Sequence, residues 1–271
     1  MAEFERLLIT GAAGSLGSQL RGGIGHLCET LRLVDRQPMA PANEGEELFQ
    51  GDLNDLNFAH LVTRDCDAIL HFAGTPKEQT FHEVLQDTLP AAYNIYEAGR
   101  LNGVKRVIYA SSIHAVGYYP VESLPDTNVL HRPDSFYGLT KCFTEDLARL
   151  YWDKFGIESV CLRICSCFPE PADRRMLWSW LSFADCVRLV EASLSAQRVG
   201  FSIIYGTSNN SELGVSNASA AHIGFSPADS ADVYRAQVMK AYPRSDPHAN
   251  LTRFVGGWFT ALGHPDDPKR D

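Results

Sequence analysis

The sequence predicts an α/β fold, a parallel sheet wound on both faces by helices. Three observations predict it. Short apolar runs alternate with helix-length segments along most of the chain. A glycine-rich turn follows the first run directly, and an acid closes the second.

The elements follow in order. Residues 5–10 read ERLLIT, an apolar run suited to a buried strand. It ends in Thr10-Gly11-Ala12-Ala13-Gly14-Ser15-Leu16-Gly17, and residues 18–21 continue as a helix. Gly11 permits the tight turn, Gly14 lets a pyrophosphate approach the backbone, and Gly17 permits close helix–strand packing. Ala13, Ser15 and Leu16 belong to the same cradle. The spacing is Gly-x-x-Gly-x-x-Gly rather than the commoner Gly-x-Gly-x-x-Gly.

Residues 31–35, LRLVD, end a second strand at Asp35, about twenty residues past the turn. An acid there accepts hydrogen bonds from both adenosine ribose hydroxyls and repels a 2′-phosphate, so the expected cofactor is NAD rather than NADP. Arg36 follows and keeps some NADP tolerance open. Residues 48–53 read as a third strand and its exit. There Asp52, beside Leu53, either reaches the adenine amino group or caps a helix beginning near Asn54. Residues 67–74, DAILHFAG, are a fourth strand ending in small residues, so that backbone at Gly74 can lie against a cofactor.

A long helix is expected over 80–101 and a fifth strand over 104–110, ending at Ser111-Ser112-Ile113-His114. Residues 156–163 are a sixth strand, 164–176 a loop, 182–196 a helix and 201–205 another strand. Residues 206–227 are a polar surface loop, 228–241 the last helix, and 263–271 a disordered tail. No repeat or long linker divides the chain, which predicts one domain over 1–271. In such sheets ligands bind at the carboxyl ends of the strands, where the glycine turn, Asp35, Asp52, Gly74 and the serine pair all fall.

Bulk properties exclude several classes. The chain has 271 residues and a formal net charge of −9, without a basic run. That disfavours nucleic acid and anionic membranes as partners. No apolar run reaches membrane-spanning length, and from its acidic N-terminus no signal peptide or transit peptide is expected. The seven cysteines are scattered, which suits a reducing cytoplasm. Neither they nor the nine histidines form a ligand pattern, so no metal is expected.

Tyr137 and Lys141 stand four apart just after Asp134 and Ser135, either of which can cap a helix. Phe143, Leu147, Leu150, Tyr151 and Phe155 continue at helical spacing, so Tyr137 and Lys141 share a face. A nearby ammonium lowers a phenol's pKa, which would let Tyr137 move a proton near neutrality. The bland reading, an aromatic packing beside a solvated lysine, gives way once Ser112 at a strand end and the glycine turn join the pair.

Residues 10–17, Asp35, Gly51-Asp52-Leu53, Ser111-Ser112 and the run from Tyr137 to Lys141 together resemble the extended branch of the short-chain dehydrogenase/reductase superfamily. Its Rossmann fold carries a small C-terminal substrate-binding portion. A narrower resemblance is to bacterial uronate dehydrogenases. It is carried by residues 111–120, Arg132-Pro133, residues 137–143, Phe155-Gly156, residues 163–167 and Arg174-Arg175-Met176-Leu177, and less clearly by residues 256–259. That family oxidises a hexuronate at C1 with NAD to an aldarolactone.

The resemblance implies Ser112, Tyr137 and Lys141 as catalytic residues, with Tyr137 and Lys141 also binding the cofactor and Lys141 anchoring its nicotinamide ribose. It implies Ser166 and Arg175 on the substrate carboxylate, His114 on sugar hydroxyls, and Phe259 lining the pocket, with elements from 164–180 and 205–262. A structural role for His114 is the alternative. Ile113 stands where the family has asparagine, and Pro76 where it has serine, with Thr75 able to replace the second contact. Arg175 has independent support, since a guanidinium fork matches a carboxylate. Other sugar dehydrogenases, an epimerase and a non-catalytic NAD sensor are the rival readings. The expected partner is a small-molecule sugar acid, and by analogy the protein is a homo-oligomer.

Overall fold

The first apolar run forms an inner strand of a sheet. In the computed structural model, which describes residues 2–242 and 249–267, β1 (Phe4–Thr10) buries Leu7, Leu8 and Ile9 completely. The chain continues through α1 (Ser15–Ile24), β2 (Cys28–Asp35), β3 (Glu46–Gln50), α2 (Leu56–Thr63) and β4 (Ala68–His71). Next come α3 (Phe81–Glu83), α4 (Leu89–Leu101), β5 (Arg106–Tyr109), α5 (Phe136–Phe155), β6 (Glu158–Ile164) and β7 (Ser166–Cys167). It ends with α6 (Met176–Ser179), β8 (Trp180–Leu181), α7 (Phe183–Ser195), β9 (Phe201–Gly206), α8 (Arg235–Ala241) and α9 (Asn250–Arg253).

The main sheet has the order β3-β2-β1-β4-β5-β6-β9, and every pairing is parallel. Alternate strand residues face opposite sides, so each strand feeds two cores. Leu7, Ile9 and Leu33 pack with Leu20, Ile24, Leu189 and Val190 of α1 and α7. Leu8, Val34 and Ile69 pack with Ala59, Ile95 and Leu147 of α2, α4 and α5. This is the doubly wound parallel sheet that the alternation predicts. The strand order reverses between β1 and β4, which opens the crevice used by ligands in such folds.

Several elements differ from expectation. The helix expected over 80–101 contains a wide turn at Val84–Thr88. Pro90 explains it: proline has no N–H for the carbonyl of Gln86, and the Asn54 amide donates to that carbonyl instead (3.3 Å). The segment 164–176 is not only loop, because Ser166–Cys167 pairs with Trp180–Leu181. Two-residue strands are too short to leave a period in sequence. Residues 218–223, within the expected loop, form a 3₁₀ turn. The helix expected from 228 starts later, because Asp185 accepts the N–H groups of Ala228 and Asp229 and holds them extended. Of the tail expected to be disordered, residues 264–267 form a turn, and His264 lies edge-on to Phe136 at 5.4 Å. Residues 268–271 lie outside the described ones. Among the described residues no helix is long and apolar enough to cross a membrane.

Candidate active site

The crevice holds a cleft of about 290 Å³, lined by Gly11, Ala13, Gly14, Asp35, Asp52, Leu53, Gly74 and Thr75 among others. Gly11 has φ +74°, and a Cβ there would meet the backbone N of Ala73 at 2.6 Å. Only glycine lets the turn cross the exit of β4 so closely. Gly14 is the N-cap of α1 and has no side-chain cap, so the first N–H groups of that helix face the cleft without competition from a side chain. Ser15, Leu16 and Gly17 form the first turn of α1, and Gly17 is buried.

Asp35 accepts the Ala13 N–H (2.9 Å) and the Gln37 N–H (2.8 Å), which ties the end of β2 to the turn. Asp52 lines the cleft and does not cap a helix. Asp55 is the N-cap of α2 and accepts from the Asn57 N–H. Arg36 is bonded to Asp87, with Asp52 at 3.8 Å. An uncapped helix start, a strand-end acid and an open floor at Gly74 fit a dinucleotide.

At the start of α5, Ser135 caps the helix by accepting the Gly138 N–H (2.9 Å). Glu78 accepts the N–H groups of Phe136 and Tyr137 (2.9 and 3.0 Å). Negative charge at a helix N-terminus is favourable, so Glu78 fixes the turn that carries Tyr137. A Cβ on Gly138 would lie 2.3 Å from the His114 carbonyl oxygen. Glycine therefore lets α5 rest directly on the turn Ile113–Val116 that follows Ser112.

The Ser112 hydroxyl lies close enough to the Tyr137 phenol to favour its phenolate. The Lys141 ammonium donates to the Ala110 carbonyl (2.8 Å) and lies 5.2 Å from the Tyr137 ring centroid. Burial pushes the Tyr137 phenol up to about 12. The sequence reading expected the opposite direction. The ammonium is committed to Ala110, and burial itself pushes Lys141 down to about 8. One such cation does not offset the loss of water around the phenol.

His114 bonds through Nδ1 to the buried Asp134 (2.8 Å), stacks at 3.9 Å on Phe259, and stands edge-on to Tyr137 at 5.6 Å. That leaves Nε2 for a hydroxyl. Asp134, read as a possible helix cap, orients this histidine instead. Arg175 donates to the Ser166 hydroxyl (2.9 Å) and to the Val255 carbonyl. Its Nε has no hydrogen-bond partner among the described residues, and no carboxylate there lies within ion-pair distance. Burial pushes its pKa down. Ser112 bridges to Ile164, two residues before Ser166, while Val255 and Phe259 touch Arg175 and His114. These contacts bring Ser112, His114, Ser166, Arg175 and Phe259 near one another, while Thr75 lies in the wall of the cleft.

Ile113 departs from the group. Its side chain is 1 % exposed and packs with Val116, Trp178, Tyr205 and Val255. An apolar residue at that register joins the core rather than the pocket. Sequence reasoning missed Glu78, Asp87 and the role of Asp134. Their partners are 58, 51 and 20 residues away, and an isolated acid carries no spacing signal.

Residues 7–182 match the family model described as "NAD dependent epimerase/dehydratase family". The chain belongs to the NAD dependent epimerase/dehydratase family. Within that family, it is 44% identical over 261 residues to the uronate dehydrogenase of Pseudomonas putida, covering 96% of this chain and 97% of the relative. A crystal structure of glucuronic acid dehydrogenase from Chromohalobacter salexigens superposes with a TM-score of 0.95 at 43% identity, covering 98% of this chain and 100% of that one. A tyrosine-to-alanine mutant of Agrobacterium tumefaciens uronate dehydrogenase, complexed with NAD, matches with a TM-score of 0.92 at 41% identity. The coverage there is 96% of this chain and 98% of that one.

Proposed function

We propose that this protein oxidises a hexuronate, glucuronate or galacturonate, at C1 with NAD and yields the aldarolactone. The observation that carries this reading is Arg175. Arg175 is half-buried, and its buried Nε, without a partner among the described residues and next to Ser166, calls for a carboxylate from outside the chain. The likeness to enzymes named for uronates, over nearly the whole chain, supports it.

The chain's own residues then divide the work. Arg175 and Ser166 hold the sugar carboxylate. His114, oriented by Asp134, takes a ring hydroxyl through Nε2, with Phe259 packed on its face. Thr75, in the cleft wall, replaces the contact that Pro76 lacks. Ser112 hydrogen-bonds the C1 hydroxyl, and Tyr137 accepts its proton. Bound NAD supplies the hydride acceptor and a positive ring that favours the phenolate. Lys141 adds the second positive charge near Tyr137 and, with NAD bound, would anchor the nicotinamide ribose. The cofactor cradle comprises Gly11 through Gly17, Asp35, Asp52, Leu53 and Gly74.

The test is direct. Purified protein with NAD and either uronate should accumulate reduced cofactor, followed by absorbance. No reduction with either acid overturns the substrate.

We also propose a homo-oligomer working in a reducing cytosol. Tyr93 and Leu101 on α4, with Leu139, Phe143 and Leu150 on α5, are exposed apolar side chains on adjacent helices, which supports pairing of copies. All seven cysteines are free thiols, which supports the compartment.

A further inference from the structure

We infer that Glu145 is a positioning residue, which holds Lys141 and the strand end Ala110–Ser111–Ser112 in their working places. Tyr137, Lys141 and Glu145 are spaced by four along α5 and form one stripe. Glu145 is 1 % exposed, and its carboxylate makes four hydrogen bonds. One oxygen accepts from the Ser111 hydroxyl (2.5 Å) and from Arg163 Nε (3.1 Å). The other accepts from Arg163 Nη2 (2.8 Å) and pairs with His131 Nε2 (2.8 Å). The carboxylate thus joins α5, the end of β5, β6 and the loop before α5.

Two of those joints bear on the reacting groups. Ser111 is the residue before Ser112. It is also the residue after Ala110, whose carbonyl receives the Lys141 ammonium. A neutral side chain at 145 would loosen that carbonyl and remove the one carboxylate whose charge favours the Lys141 ammonium. An ion pair serving stability alone needs only Arg163, and a buried pair of that kind is a weak stabiliser.

The groups around these two charges are known. Tyr109, Tyr137 and His71 face Lys141. Arg163, His131 and the Cys142 and Cys161 thiols face Glu145, with Asp146 beyond His131. The inference rests on Lys141 serving the bound cofactor, as under Proposed function.

The measurement is NADH affinity against pH, read by fluorescence titration, because it needs no sugar acid. In the wild type, affinity should fall as Lys141 loses its proton, near pH 8. Glu145→Gln should move that break down by about half a pH unit or more. Ser111→Ala, a small change that leaves every charge in place, should weaken NADH about three- to tenfold at neutral pH. A folded Glu145→Gln protein with the wild-type break overturns the inference. Should Glu145→Gln not fold, Ser111→Ala decides: wild-type affinity and break overturn it. A wild type that shows the NADH break but reduces no NAD with any uronate counts against the proposed substrate and leaves this inference standing.

Discussion

Tyr137 carries the reaction on this reading, and its surroundings set what its loss should do. Tyr137 is half-buried, and the loss of water around its phenol pushes it up to about 12. General acid–base groups contribute about 10²–10⁴ in rate. Tyr137→Phe should therefore lower kcat by about a hundredfold or more with little change in NADH affinity. Near-normal turnover in steady-state kinetics would refute the role. Arg175 makes a different prediction. Arg175→Gln keeps a donor for Ser166 but loses the charge, and leaving a buried carboxylate unpaired costs about 2–5 kcal/mol. The variant should lose about thirtyfold or more in kcat/KM for the uronate, with NADH binding retained. A loss confined to NADH binding would place the arginine elsewhere.

Elements meet at close quarters, and two contacts can be tested. Gly138 lets α5 touch the His114 carbonyl. Overpacking of this kind costs about 1–3 kcal/mol. Gly138→Ala should lower Tm by several degrees and kcat with it, since the displaced helix carries Tyr137. An unchanged Tm in calorimetry would mean that the helix shifts without strain. The second contact joins β1 to β4, where His71 Nδ1 meets the Thr10 hydroxyl at 2.8 Å. Burial, with the Lys141 charge, pushes His71 down to about 3. The unfolded chain binds this proton near pH 6.5 and the folded one only near 3, so stability falls as pH drops through that window. At pH 4 the deficit from this group is about 3 kcal/mol. His71→Asn should flatten that part of the acid limb in denaturant titrations. An identical limb in both proteins would show that His71 does not set it.

The whole molecule places one cleft at the strand ends and leaves an apolar face on α4 and α5. If copies pair there, the double charge substitution Leu139→Glu with Phe143→Glu should yield monomers by light scattering. A wild type that is already monomeric would end that proposal. At this scale the sequence was legible where the signal is local and periodic. The strand–turn–helix at Gly11, the acid at Asp35 and the helical face of Tyr137 and Lys141 each depend on neighbours within a few turns. Two-residue β7 and β8, the wide turn before Pro90 and the late start of α8 depend on distant hydrogen bonds, from Asn54 to Gln86 and to Asp185. Of the candidate site, the glycine turn, Asp35 and the shared face of Tyr137 and Lys141 were legible as geometry, but Ile113 was misplaced and the groups that aim the others were not seen.

The sequence by itself determined the winding of the sheet, the placing of the glycine turn and Asp35 at the strand ends, and the shared helical face of Tyr137 and Lys141. Apolar periodicity and glycine sterics act over short stretches of chain and need no knowledge of the fold. Only the tertiary structure decided that Glu78 holds the first N–H groups of α5, that Asp134 belongs to His114, and that Ile113 packs into the core. It also reversed the direction of the Tyr137 shift. Desolvation and the pairing of isolated charges depend on which distant segments close over a group, and no short window of sequence contains that.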